Sequence, residues 1–372
     1  MSTEYTKRAI SAGLGIGALA LLAPRASADT PFTSYPFPSA GAPTPRTMPD
    51  RLAEIKNVKD FGAVGDSVAD DTAAIQRALD AAYGSASSPN GAGSGVYNNA
   101  AVFFPAGYYK ISAPLTLRSV RGAHIFGSGR FTTTIRNNTS GSAVFKTNGC
   151  DYSRFERMSL DVSGAGSVCF DLDWDNTGPC ALQSNTFSDM FFQSGAYGVR
   201  IGETGFMGSE NLFYNCFFAN HGVAGLSTRN YNALQQTVVG GNFQGCATGI
   251  WVWSGSVPVI QGVGFQNQVN WDIGVENTAG DTYSVLGCRT ESLNFARFQN
   301  GCGVHLSGCS QTNPNVGYFA YVEGGTHGVG ILDACNSRNG RLTGNGKFYL
   351  RGNLFSNTSY LQAVAGPILQ NI

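Results

Sequence analysis

Charge is scarce in this 372-residue chain: Asp, Glu, Lys and Arg together make up 13% of it, about half of the usual share near 25%. Neither sign is in excess, with 24 basic and 24 acidic residues, so no basic face offers itself to nucleic acid or to an anionic membrane. Beyond the N-terminus no apolar run reaches the ~20 residues that span a bilayer. C-x-x-C pairs and His/Cys metal spacings are missing as well, which removes a thiol-based metal centre from consideration. Lys and Glu are too few, and glycine at 49 residues too plentiful, for helical bundles or coiled coils. Disorder is excluded in turn by 24 Phe, 15 Tyr and 4 Trp, aromatics that only a packed core accommodates in such number. What remains is a folded β protein rich in Gly, Asn and aromatic residues.

Lys7 and Arg8 precede an apolar run from Ala9 to Ala23, and Ala26-Ser27-Ala28 supplies small residues for cleavage. That order is a secretory signal peptide over residues 1–28, with a mature chain starting near Asp29. The run is too short for a spanning helix. The expected location is therefore secreted or periplasmic, with no membrane partner after signal cleavage. Residues 29–55 are rich in Pro and Ser and read as an N-terminal arm. One domain over 56–372 follows.

That domain is a repeat. Asn185-Thr-Phe-Ser-Asp-Met-Phe-Phe192 superposes on units that start at Asn211, Gln236, Pro258 and Tyr283, a period of 22–26 residues. The third position is always apolar: Phe187, Phe213, Val238, Ile260 and Val285. Shorter copies follow at Leu306-Ser-Gly-Cys309 and Leu332-Asp-Ala-Cys335. Strand units at such a period, with no helices between them, predict a solenoid of stacked rungs. Of the nine cysteines, Cys216, Cys288, Cys309 and Cys335 share one column, interrupted by Gly241 and Val263. A column of small apolar residues on successive rungs predicts buried thiols rather than disulfides.

Ahead of the repeat, Val58-Lys-Asp-Phe-Gly-Ala-Val-Gly-Asp66 reads as a strand and a glycine turn, and Asp70-Asp71-Thr72 caps an amphipathic helix over Asp71–Ala82. Phe104-Pro-Ala-Gly-Tyr-Tyr109 joins two short strands. These three blocks resemble the opening of the pectate-lyase-like superfamily, with its rhamnogalacturonase- and epimerase-like domains. The resemblance implies an all-β fold, a right-handed parallel β-helix (solenoid) with a short N-terminal capping α-helix. Members cleave glycosidic bonds by hydrolysis or β-elimination, and some only bind. The Asn-Thr-Asp, Gly-His-Gly and Arg-Ile-Lys motifs of polygalacturonase-type hydrolases are absent, as is the Arg-x-Pro-x-x-Arg segment of calcium-dependent lyases. No catalytic residue can be carried over.

The site therefore has to come from geometry. A second strand alternates with the aligned units: Phe170–Asp175 ahead of the first, then Val199–Ile201, Leu226–Arg229, Ile250–Trp253 and Ile273–Glu276. Alternation turns Asp171, Asp173, Arg200, Arg229, Trp251, Trp253 and Glu276 outward, on rungs about 4.8 Å apart. Asp173, Arg229 and Glu276 are the expected catalytic groups; Asp171, Arg200, Trp251 and Trp253 the expected substrate-binding ones. Indole faces stack on sugars and arginine forks hold carboxylates. Asp171, Asp173 and Asp175 offer hard oxygen ligands to Ca²⁺ or else form a solvated turn. The exposed tryptophans serve sugar stacking or a homotrimer interface. His221 and His327 precede glycines at rung corners and read as turn residues, and Glu291 beside Arg289 reads as a surface pair. Two readings follow: a secreted enzyme, lyase or glycoside hydrolase, acting on an extracellular polysaccharide, or a non-catalytic polysaccharide-binding or spike protein on the same scaffold.

Overall fold

The computed structural model describes residues 46–85, 99–276, 281–323 and 328–355, with the short strands Pro36–Phe37, Ser88–Pro89 and Ile368–Gln370. The expected signal peptide, most of the expected arm and His327 lie outside the described residues. Two units divide the chain, 1–54 and 55–372. In the first, Pro36–Phe37 pairs antiparallel with Arg46–Thr47, and Arg46 bonds Asp50 and Glu54.

The second unit is the expected parallel β-helix. Three sheets of 13, 12 and 11 strands run its length, and every pairing within them is parallel. Sheet 1 takes Thr186–Ser188, Leu212–Tyr214 and Thr237–Val239; sheet 2 takes Phe191–Gln193, Phe217–Ala219 and Asn242–Gln244. Sheet 3 takes Val168–Leu172, Tyr197–Ile201, Ala224–Thr228, Thr248–Val252, Trp271–Val275 and Ala296–Phe298. The eight-residue unit read as one strand is thus two strands on different sheets. A corner residue with positive φ divides them: Asp189, Asn215, Gly240, Gly262, Gly287, Gly308 and Ala334, at φ between 50° and 65°. Asp, Asn and Gly tolerate that left-handed conformation, and here the corner repeats every turn.

The corner is also where one rung is bonded to the next. The N–H of Asp189 donates to Tyr214 O, that of Asn215 to Val239 O and that of Gly240 to Gln261 O, at 2.8–3.1 Å. The residue after the corner is the cysteine column. All four of its thiols are buried as expected, and Cys216, Cys309 and Cys335 reach the Phe187, Val285 and Leu306 carbonyls at 3.4, 3.2 and 3.2 Å. Gly241 interrupts the column because its φ is 79° and a Cβ there would collide with the Cys216 carbonyl. Two aromatic stacks fill the core. Phe155, Phe187 and Phe213 lie 5.0 Å apart, and Phe192, Phe218 and Phe243 lie 4.8 and 4.4 Å apart. Each pair contributes about 0.5–1.5 kcal/mol beyond its buried area.

The capping helix runs Thr72–Tyr83 and buries Ala74, Ile75, Ala78, Leu79, Ala82 and Tyr83. Its start differs from the expected cap. Asp70 accepts from the Thr72 N–H at 3.0 Å, whereas Asp71 is buried and accepts from the Val64 and Gly65 N–H groups. Asp71 ties the glycine turn to the helix.

One interior carboxyl has neither an ion-pair partner nor a hydrogen-bond partner among the described residues. Asp272, second in the strand Trp271–Val275, is fully buried, and burial pushes its pKa up to about 8. Ser292 and Thr290 moderate the shift, yet neither oxygen gains a hydrogen bond. An unfolded Asp titrates near ~3.9, so between there and about 8 the folded chain holds the extra proton and stability falls as pH rises. His221 is also buried, its pKa pushed down to about 4. It opposes that slope only below its unfolded value of about 6.5. Between pH ~6.5 and ~8.5 the unfolding midpoint of the wild type should therefore drop more steeply than that of Asp272→Asn. Thermal melts across that range read the difference, and parallel slopes would contradict a protonated Asp272.

Candidate functional site

The register of sheet 3 stacks Asp171, Arg200, Ser227, Trp251, Gly274 and Arg297 in one outward column. A second column begins where the strands end, one residue past Leu172, Thr228, Val252 and Val275: Asp173, Arg229, Trp253 and Glu276. The seven expected residues share a face, as two adjoining columns rather than a single row.

Much of the charge on that face is spent within it. Arg200 grips Asp171 through two bonds of 3.0 Å each, from Nε to Oδ1 and from Nη2 to Oδ2. Its Nη1 lies 3.8 Å from Glu203, which accepts from Arg229 Nε at 2.9 Å. The Arg229 guanidinium packs over Trp251 and Trp253, 5.1 and 4.4 Å from their ring centres. Asp171 and Asp173 are only 5% and 7% exposed, a correction to their expected place on the open surface. Arg200 covers the first. The second accepts from the Thr204 N–H at 3.2 Å, from the Thr204 hydroxyl and from the Trp174 N–H, and so pins the 202–206 loop.

Asp175 accepts from the Thr177 hydroxyl and N–H, which hold its carboxyl below the usual range. The three aspartates weighed as Ca²⁺ ligands are thus each committed to donors of the protein, and no set of three acidic, His or Cys ligands converges among the described residues. His221 is buried with Nε2 at 3.1 Å from the Phe192 carbonyl, in keeping with a turn residue. Arg289 and Glu291 form an exposed pair at 2.9 Å, of little energetic weight.

Farther along the face lies a depression of about 410 Å³. It opens where Gly274, lacking a side chain, pairs with Trp251 on one side and Arg297 on the other. Trp251, Trp271, Glu276 and Arg297 line it, with Asn270 and Asn294. Trp271 stacks on Tyr318 at 5.6 Å and Arg297 lies over Tyr321 at 5.8 Å, so both pack against the strand Gly317–Val322 of the same sheet. Among the described residues neither the Glu276 carboxylate nor the Arg297 guanidinium has an ion-pair partner. Of the seven expected residues, Trp251 and Glu276 reach the depression. Arg229, Trp253, Asp171, Asp173 and Arg200 do not line it.

Sequence reasoning missed Trp271, Arg297 and Glu203. Arg297 carried a signal: it stands between Ala296 and Phe298 as Arg200 stands between Val199 and Ile201, one period beyond Gly274. Trp271 opens a strand whose later residues were read, and Glu203 lies in a turn where the repeat says nothing.

A parallel β-helix with an aromatic and charged outer face is a scaffold of the pectate-lyase-like kind. More particularly, residues 55–276 match the family described as rhamnogalacturonase A/epimerase, pectate lyase-like, and the chain belongs to it. It is 46% identical over 87 residues to mannuronan C5-epimerase AlgE2 of Azotobacter vinelandii, a match covering 22% of this chain and 7% of that protein. The solved structure of Geobacillus virus E2 ORF18 superposes with a TM-score of 0.59 at 18% identity, covering 81% of this chain and 62% of that one. The N-terminal fragment of bacteriophage Phi29 gene product 12 does so at 0.53 and 15%, covering 82% and 58%. Both are likenesses of fold. The chain spans less than two thirds of each of these three proteins.

Arg200→Ala would leave the covered Asp171 carboxylate without its partner. Denaturant unfolding should show a loss of about 1–3 kcal/mol. The double variant with Asp171→Ala should lose less than the two single changes together. Strict additivity would mean that the pair does not hold the face together.

Proposed function

We propose that this protein is an extracellular polysaccharide-active enzyme of the lyase type that works on uronate-containing glycan at the outer face of sheet 3. The observation that carries the reading is the depression: one carboxylate, Glu276, and one guanidinium, Arg297, both without ion-pair partners among the described residues, between Trp251 and Trp271. Hydrolysis needs two carboxylates across the scissile bond. Glu276 is the single carboxylate among the residues lining the depression. Elimination needs a base and a cation, which is the set present.

In that chemistry the sugar stacks between the indoles and its carboxylate faces Arg297, whose charge stabilises the enolate-like state. Glu276 takes the C5 proton, the electron pair forms the C4–C5 double bond, and the C4–O bond breaks. The departing oxygen regains a proton from water. The match to a mannuronan C5-epimerase over 87 residues supports a uronan as the substrate class, and the small-residue cleavage site after Ala28 supports export. A non-catalytic glycan-binding protein would use the same depression without turnover.

Incubation with a panel of uronans, reading new reducing ends and the ultraviolet absorbance of the conjugated double bond together, tests the proposal. Both signals should rise. Glu276→Gln should lower turnover about 10²–10⁴-fold, the usual weight of a general base, while Trp251→Ala should act mainly on KM. Reducing ends without absorbance would overturn elimination, and binding without either signal would leave the non-catalytic reading.

A further inference from the structure

On later rungs one left-handed residue makes the corner between sheets 1 and 2, as at Asp189 and Asn215. Between the strands His124–Gly127 and Thr133–Asn137 the same corner spans residues 128–132. That segment reaches along the outer face of sheet 2. Arg130 Nη1 donates to the Asn215 carbonyl at 3.0 Å, at the corner three strands further on. The Arg130 guanidinium lies 5.6 Å from the Phe131 ring and 5.3 Å from the half-buried Phe217 ring. Phe131 meets Phe191 edge-on at 5.1 Å, and Phe191 meets Phe217 at 6.0 Å. Phe131 itself is out of the ordinary, with φ at 72° and 69% of its surface exposed. The other non-glycine residues with positive φ are mostly Asn, Asp or Ser, which tolerate that backbone, whereas a bulky side chain there costs stability. Its N–H donates to Ser159 Oγ at 3.2 Å, and burial of the ring does not offset the strain. The cost is borne to keep an aromatic ring in solvent.

Beyond this aromatic step the face is neutral. On the strands Phe191–Gln193, Phe217–Ala219, Asn242–Gln244 and Gly264–Gln266 no outward position carries a charge, and charge resumes only at Asp161 before them and Arg289 after them. Asn242, Gln244 and Gln266 set amides on that stretch, and Asn242 Oδ1 has no hydrogen-bond partner among the described residues. We infer that this outer face of sheet 2 is a second glycan-binding site, for a neutral polysaccharide, apart from the depression on sheet 3. Aromatic rings cover the C–H face of a sugar, and amides donate to and accept from its hydroxyls. An acidic glycan would find no counter-charge there, because Arg130 is committed to a carbonyl and two rings. Three strand steps make the face about 14 Å long, enough for an oligosaccharide segment lying across the rungs. The site holds the chain on a neutral glycan and takes no part in chemistry on sheet 3.

Native electrophoresis through gels cast with a β-glucan, a galactomannan or a dextran, all neutral, reads binding as retardation. At least one of them should slow the wild type, and Phe131→Asn should weaken that retention about tenfold. Asparagine accepts the left-handed backbone, so the melting temperature of this variant should stay near that of the wild type. Phe131→Gly serves where the asparagine variant does not fold. Gln244→Ala should lose part of the retention, while Arg297→Ala, changed only on sheet 3, should be slowed like the wild type. Migration of the wild type unslowed in every neutral gel would overturn the site, as would retention untouched by Phe131→Asn or lost in Arg297→Ala. None of these results bears on the lyase reading, which is tested on uronans. A dimer seen by sedimentation and abolished by Phe131→Asn would assign the face to a second copy of this chain and overturn the glycan.

Discussion

Everything in the solenoid depends on the bonding of one rung to the next without a slip. Parallel strands alternate their side chains with a period of two, so a shift of one residue would turn the core outward. The corner between sheets 1 and 2 guards against this. At Asp189, Asn215 and Gly240 the chain turns through a left-handed residue whose N–H is already bonded to the following rung. The hydrogen-bond ladder therefore passes around the bend unbroken, and the residue after it has no freedom but to point inward. Cysteine, methionine or valine fills that slot except at Gly241, while Phe187 on Phe213 and Phe192 on Phe218 register the same columns by ring contact.

The site inherits its geometry from that register. Sheet 3 offers two outward columns, and what differs from rung to rung is whether neighbouring charges satisfy each other. On the rungs from Asp171 to Trp253 they do, through Arg200, Glu203 and Arg229. That stretch is braced and its charges are committed. Over the next rungs glycine replaces the column side chain at position 274, and Arg297 and Glu276 face open space. An arginine fixed against an aromatic ring, with donors to spare, is suited to a planar carboxylate. The proposed function rests on the contrast between a neutralised half and a half that, among the described residues, forms no ion pairs.

The repeat, the capping helix and the inward cysteine column were legible from residues alone, because each follows from a period that survives substitution. The corner was legible in principle. The fifth position of the unit reads Asp189, Asn215, Gly240, Gly262 and Gly287, the residue types that accept positive φ. Reading those eight residues as one strand missed a bend that no hydropathy pattern marks. Periodicity found the face but could not say which charges on it pair, since pairing depends on Glu203 in a turn and on the reach of Arg200 and Arg229. Asp171 and Asp173 alternate like exposed residues, and only the covering Arg200 and the loop at Thr204 take them out of solvent. Arg297 stands at the same period, on the strand Ala296–Phe298 that follows the unit at Tyr283.

The most direct measurement is a crystal structure of the Glu276→Gln variant with a bound uronate oligosaccharide. The account predicts a sugar ring held between Trp251 and Trp271, its carboxylate on Arg297 and its C5 hydrogen facing the residue 276 amide. A ligand seated over Arg200 and Arg229, or on sheet 1 or sheet 2 away from the depression, would contradict it.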